Sequence, residues 1–303
     1  MSGTPGLRNW LKLAALGIIW GASFMFVALA LRGFGPLTIA ACRIGLGAAA
    51  LFAILRLRGL SLPRLSAPGG KRVWLSIIAI GFIGNVLPFT MLGWGQKYVA
   101  SGFAGVCMAA VPLFILPLAH FLVPDEALTR HRAIGFLTGF AGVVMLIGVG
   151  AFASVGGDLE SVARIACLGA SLCYAIGSIV VRLCPPVDPL VLSAASLISG
   201  TAVIVPAALW FEGMPVIPAD PLPLVAILCL GIFPTALAQL LVVQVIRSAG
   251  PGFMSQVNYQ IPVWSVIFGA VLLNEVLPPQ LFLSMAMILA GLAISRHGGR
   301  AAR

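Results

Sequence analysis

Gln256, Asn258, Tyr259 and Gln260 stand within five residues of one another in a run that is otherwise apolar, with Pro262 and Trp264 just beyond. Amides and a phenol donate and accept hydrogen bonds, but none of them forms a nucleophile–base pair. At 100° per residue Gln256, Gln260 and Trp264 share one helix face, while Asn258 points nearly opposite. Pro262 cannot donate to the carbonyl of Asn258, which leaves a further acceptor. In a hydrocarbon setting such groups must face protein or a water-filled cavity. Two readings stay open: a polar wall that binds a solute, or hydrogen bonds between helices of about 0.6 kcal/mol each on average.

Similar chemistry recurs elsewhere. Asn85 and Gln239 interrupt two other apolar runs, and Pro88 and Pro234 break those same runs, freeing the carbonyls of Gly84 and Leu230. Trp20 with Ser23, and Tyr174 with Ser178, place an aromatic ring beside a small hydroxyl at similar depths of two further runs. An aromatic and a hydroxyl suit a ligand with an apolar body, and equally a helix–helix contact. Gly17 and Gly21, like Gly135, Gly139 and Gly142, have the spacing of packing faces.

The elements that carry these residues follow from composition. The 303 residues are 60% hydrophobic and only 9% charged, with a mean hydropathy of +1.10. A soluble domain carries about 25% charged residues, so this is an integral membrane protein. Ten runs are long enough to cross a bilayer as helix, at about 11–31, 37–57, 73–95, 98–122, 132–150, 162–182, 189–210, 221–245, 251–274 and 279–296. The first is too long for a signal-peptide core and reads as a retained span.

Charge sets the expected orientation. With the N-terminus cytoplasmic, inner segments hold 14 of the 18 Lys and Arg residues, leaving Arg32, Arg43, Lys97 and Arg164 outside or within spans. That predicts both termini inside. The net charge of +10 is therefore a topology signal and not a nucleic-acid surface. Six cysteines lie in or beside apolar runs with no CxxC pair or His/Cys cluster, so neither a metal site nor a cofactor is implied.

The chain also repeats with an offset near 150 residues. GFIGNVLPF (81–89) aligns with GIFPTALAQ (231–239), SGFAGVCMAAVPLF (101–114) with PGFMSQVNYQIPVW (251–264), and PDEAL (124–128) with LNEVL (273–277). Five spans per half is an odd number, so residues 156–303 must enter the membrane from the side opposite to residues 1–155. Inverted repeats of this kind typify secondary transporters, with the substrate site near the midplane.

In order and spacing, WGASF (20–24), CRIG (42–45), VPLF with PDEAL, and GFAGVVML (139–146), then SLCYAIGS (171–178), IPVW with LNEVL, and LAGLAIS, resemble the EamA-type drug/metabolite transporter superfamily. Within it the nearest likeness is to the YddG-type amino-acid exporters. The resemblance implies export of small metabolites across the inner membrane, through a cavity lined by spans 1, 3, 4, 6, 8 and 9. It places Arg43 where the family usually has an arginine, read here as an anchor that partly snorkels outward, and Glu126 and Glu275 as acids that cap or pair at helix ends.

All eight carboxylates lie in loops or at span ends, whereas proton-coupled pumps commonly carry one at the midplane. The expected cargo is therefore neutral or zwitterionic. An intramembrane enzyme would need a buried nucleophile–base pair or metal, and three histidines, two of them in loops, offer little for that; His120, near the end of span 4, reads as interfacial. The motifs are also compatible with a membrane scaffold, a channel or a carrier for hydrophobic drugs. The expected partners are a small-molecule substrate and the lipid bilayer, with the chain acting as a monomer. The candidate substrate-binding set is Trp20, Ser23, Asn85, Tyr174, Ser178, Gln239, Gln256, Asn258, Tyr259, Gln260 and Trp264.

Overall fold

The computed structural model describes residues 6–122, 130–147, 159–249, 251–254 and 256–297. Ten helical spans run through it: α1 (Leu7–Ala30), α2 (Pro36–Leu57), α3 (Gly70–Gly95), α4 (Ser101–Leu122), α5 (Arg130–Ile147), α6 (Leu159–Leu183), α7 (Pro189–Phe211), α8 (Leu222–Gly231 continuing to Ala249), α9 (Val257–Leu272) and α10 (Pro279–His297). Seven are long and apolar enough to cross a membrane by length and composition, and α5, α9 and α10 contain shorter apolar helices. At 1.5 Å per residue the 24 residues of α1 span about 36 Å, enough for a hydrocarbon core of about 30 Å. The ten expected spans are therefore present, with ends shifted by a few residues.

Local chemistry sets the boundaries. Pro36 and Pro189 open α2 and α7 at positions where a missing N–H costs nothing. Asp188 caps α7, its Oδ1 accepting from the Leu190 and Val191 N–H groups at 2.8 and 3.4 Å. The 58–69 connection turns at Gly59 and Gly69, both at positive φ, and is pinned to α3 by Trp74 Nε1 donating to the Pro63 carbonyl at 3.0 Å.

Three spans are not uniform α-helix among the described residues. α3 carries a π-helical turn at Phe82–Val86 and α8 one at Ile232–Leu237, the two segments that align in the repeat. α4 tightens at Met108–Ala110, just before Pro112, where the Ser171 hydroxyl of α6 donates to the Cys107 carbonyl at 2.8 Å. α9 is preceded by a separate short turn at Pro251–Met254.

The halves are interleaved. α1 packs on α8 and α9, while α6 packs on α3 and α4, so the first helix of each half rests on the other half. The equivalent helices α2 and α7 pair, as do α5 and α10, flanking this central group. Small residues allow the closest approaches. A Cβ on Gly21 of α1 would collide with the Trp264 side chain of α9, and one on Gly291 of α10 would meet the Gly135 carbonyl and Gly139 of α5. Where α1 begins, the Ser248 hydroxyl donates to Asn9 Oδ1 at 2.7 Å and Trp10 packs edge-on against Phe253 at 4.8 Å. Outward faces carry Leu75, Ile78, Leu137, Val225 and Val271, all exposed, as lipid contact demands.

Candidate functional site

The two π turns bring the polar residues of α3 and α8 to equivalent places. Pro234 cannot donate to the Leu230 carbonyl, and the Thr235 hydroxyl donates to that oxygen at 2.9 Å. In the other half, Asn85 Nδ2 donates to the Ile80 carbonyl at 3.0 Å. Each side chain reaches back five residues, and the two sites are one repeat apart. π turns of this kind are frequent at functional positions.

Around them lies a connected cluster. Trp20 of α1 donates its Nε1 hydrogen to the Pro234 carbonyl at 3.1 Å. Arg43 of α2 donates from Nε to the Thr235 hydroxyl at 3.2 Å and lies 3.8 Å above the centroid of Phe89 in α3. Phe89 in turn meets Tyr174 of α6 edge-on at 6.3 Å. Glycines permit both approaches: a Cβ on Gly47 would meet Thr235 Cγ2, and one on Gly177 would lie 3.1 Å from Gly84 Cα.

Arg43 is only 8% exposed. It does not reach outward along α2 as a snorkelling anchor would; its charge turns inward, against α3 and α8. In the other half Gln239, the counterpart of Phe89, donates from Nε2 to the Ser193 hydroxyl, and the counterpart of Arg43, seven residues past Pro189 as Arg43 is past Pro36, is Ser196. A symmetric frame thus carries asymmetric chemistry, with a cation on one side and a serine on the other.

Trp20 and Tyr174 therefore belong to this cluster, while Asn85 stands one turn before Phe89 on α3 and Gln239 one turn after Thr235 on α8. Ser23 and Ser178 bond carbonyls of their own helices, Trp20 at 2.6 Å and Tyr174 at 2.8 Å. The residues of α9 form a second group. Gln260 lies over Gly17, where a Cβ would sit 2.6 Å from its Oε1, and Trp264 lies over Gly21 and stacks on Phe268 at 5.7 Å. The face shared by Gln260 and Trp264 is thus packed on α1. Gln256 opens α9, its N–H donating to the Phe253 carbonyl at 3.1 Å, and Asn258 and Tyr259 are half-buried within it.

Helix ends on the side away from the start of α1 hold two carboxylates. Glu275 accepts from the Ser101 and Gly102 N–H groups of α4 at 2.7 and 3.0 Å, as expected of a capping acid. Glu212 accepts from Leu37 N at 2.9 Å, Thr38 N at 2.8 Å and Thr38 Oγ1 at 2.7 Å. Sequence reading did not single it out. The available signal was its position: a carboxylate at the C-terminal end of its own helix opposes the dipole there and needs a partner elsewhere. Asp125, Glu126 and Asp158 lie outside the described residues. His120, at the end of α4, is exposed and packs against Phe121 at 5.0 Å.

Chemically the cluster offers hydrogen-bond donors and acceptors, aromatic faces and one cation. No set of three metal-ligating His, Cys, Asp or Glu side chains comes together among the described residues. Ten apolar helices in two inverted halves, with paired broken helices at the centre, make this an integral membrane protein of the inverted-repeat type. The EamA-like transporter family profile matches residues 9–148 and again 162–296. The chain belongs to that family and is a membrane transporter.

Among its relatives, the chain is 27% identical over 290 residues to the uncharacterized inner membrane transporter YedA of Escherichia coli (strain K12), covering 94% of this chain and 90% of that protein. It is 27% identical over 140 residues to an uncharacterized transporter of Archaeoglobus fulgidus, a match that spans only 48% of that protein's length. A solved crystal structure superposes with a TM-score of 0.68 at 22% identity, over 98% of this chain and 99% of that one, a likeness of fold alone.

Proposed function

We propose that the protein is a secondary transporter that exports a small neutral or zwitterionic metabolite, an amino acid, across the inner membrane by alternating access. The observation that carries this is the pairing of π-broken helices. α3 and α8 lose regular helix at equivalent positions of the two halves, and side chains of α1, α2 and α6 converge there. Broken helices at the interface of inverted repeats are where carriers bind substrate. The repeats are taken as residues 1–155 and 156–303, with both termini in the cytoplasm.

Trp20, Asn85, Tyr174 and Gln239 would line the path, with Gln256, Asn258, Tyr259, Gln260 and Trp264 of α9 beside it and Ser23 and Ser178 shaping α1 and α6. The five described carboxylates sit at helix ends, which supports flux that follows the substrate gradient. The aromatic rings of Trp20, Phe89 and Tyr174 favour a second reading, efflux of hydrophobic solutes. Counterflow in proteoliposomes, with labelled amino acids and lipophilic drugs, with and without a pH gradient, separates the two. Amino-acid counterflow indifferent to the gradient is expected, and drug flux alone would overturn the proposal.

A further inference from the structure

Arg43 lies about 10 Å along α2, seven residues past Pro36 at 1.5 Å per residue, and is 92% buried by its 8% exposure. Arginine carries five N–H donors and stays charged. One donor, on Nε, meets the Thr235 hydroxyl. The four on the terminal nitrogens meet no acceptor among the described residues.

Nor does a carboxylate neutralise it among the described residues. Each described acid is engaged at a helix end: Glu160 with Arg164, Asp188 on α7, Glu212 on α2, Asp220 on the Leu222 N–H of α8, and Glu275 on α4. The ring of Phe89 beneath the guanidinium offsets part of the charge. A cation–π contact is weak beside the cost of burying an ion. An ionisable group inside a membrane bundle without a protein counter-ion marks a ligand site.

From this we infer that Arg43 is the receptor for the carboxylate of the cargo, an inference that rests on the small-metabolite carrier reading above. The Thr235 and Phe89 contacts hold the guanidinium by its inner edge and one face, leaving the outer fork to donate to two carboxylate oxygens side by side. The position equivalent to Arg43, seven residues past Pro189, is Ser196, so the second half does not duplicate the charge there. A single positive charge matches a monoanionic carboxylate better than a phosphate, which carries about two negative charges. Phe89 and Tyr174 set an apolar wall beside the fork, so an aromatic or branched body on the acid fits.

Four probes separate carboxylate from amine recognition: phenylalanine, phenylalaninamide, 3-phenylpropionate and 2-phenylethylamine. Their binding to the full-length chain in detergent is read by thermal stabilisation. Phenylalanine and phenylpropionate should stabilise it, with the amide and the amine weaker by about 10- to 150-fold in apparent affinity. Arg43→Gln should erase that difference and Arg43→Lys should keep part of it. Equal binding of phenylalanine and its amide to the wild-type chain overturns the inference, and so does the absence of binding by either carboxylate; both results are independent of how the variants fold. Undiminished carboxylate preference in a folded Arg43→Gln protein overturns it as well. Flux is scored separately in proteoliposomes: flux of the amide or amine keeps the carrier reading while Arg43 loses its role, whereas carboxylate-selective binding without flux keeps the site and removes that carrier reading.

Discussion

Arg43 Nε and Thr235 Oγ1 lie 3.2 Å apart, joining α2 of the first half to the π turn of α8 in the second. The same hydroxyl donates to the Leu230 carbonyl at 2.9 Å, so one side chain serves both a buried cation and a carbonyl beside a proline. Thr235→Val keeps the shape and removes both bonds. It should lower stability by about 1–3 kcal/mol, the cost of stranding buried polar groups. Thr235→Ser keeps the hydroxyl and should recover most of that loss. Thermal unfolding in detergent, with the two variants side by side, checks this; equal stability of Thr235→Val and wild type would show that the hydroxyl holds nothing.

Glu212 ties the end of α7 to the start of α2 through three hydrogen bonds. Glu212→Ala should therefore destabilise by about 1 kcal/mol, the usual worth of a lost N-terminal cap. Gly35→Ala offers an independent route to the same effect, because its Cβ would occupy the place of the Glu212 carboxylate. If both variants unfold together and the double variant is no worse than either, they act on one interaction. Additive losses would show two separate roles.

Gly21 of α1 lies directly against Trp264 and Ser265 of α9. An added Cβ would meet the base of the Trp264 side chain and, at 3.2 Å, the backbone nitrogen of Ser265. Backbone cannot swing aside as a side-chain tip can, so Gly21→Ala should cost about 1–3 kcal/mol through overpacking. A Cβ on Gly17 has the Gln260 side chain as its nearest neighbour, with no backbone atom among the three closest, so Gly17→Ala should cost less. A reversed order in detergent melting curves would contradict the packing.

Topology is open to a direct measurement. In a background lacking the six native cysteines, Ser66→Cys in the α2–α3 connection and Met214→Cys in the α7–α8 connection should label from opposite sides of the membrane. Both positions are exposed. Charge asymmetry assigns Ser66 to the cytoplasmic side and Met214 to the outside. Val155→Cys, which lies outside the described residues, should also label from outside. Labelling of positions 66 and 214 from one side would undo the alternation of spans.

Much of the architecture was written in the order of residue types. Lipid admits only segments that satisfy their own backbone, so the lengths of the apolar runs gave ten spans with ends a few residues from those observed. The repeat was readable because GFIGNVLPF and GIFPTALAQ keep their small, apolar and proline character in register. Glu275 could be read as a capping acid through the family resemblance of LNEVL. What the sequence could not disclose depends on contacts between residues far apart in the chain. Prolines announced breaks in α3 and α8, but the fifth-residue reach of Asn85 and Thr235 follows from a π turn that packing stabilises and local propensity does not encode. Gln260 and Trp264 share the face that helical period gives them, yet their neighbour is fixed by where Gly17 and Gly21 of α1 come to rest. Arg43 shows the difference most clearly. Seven residues inside α2, its long side chain could extend toward the interface or turn inward, and helical period permits both. Thr235 lies 192 residues away, and it took the packing of α2 against α8 of the other half, together with α3 of its own, to set that hydroxyl and the ring of Phe89 against the guanidinium and hold it inward.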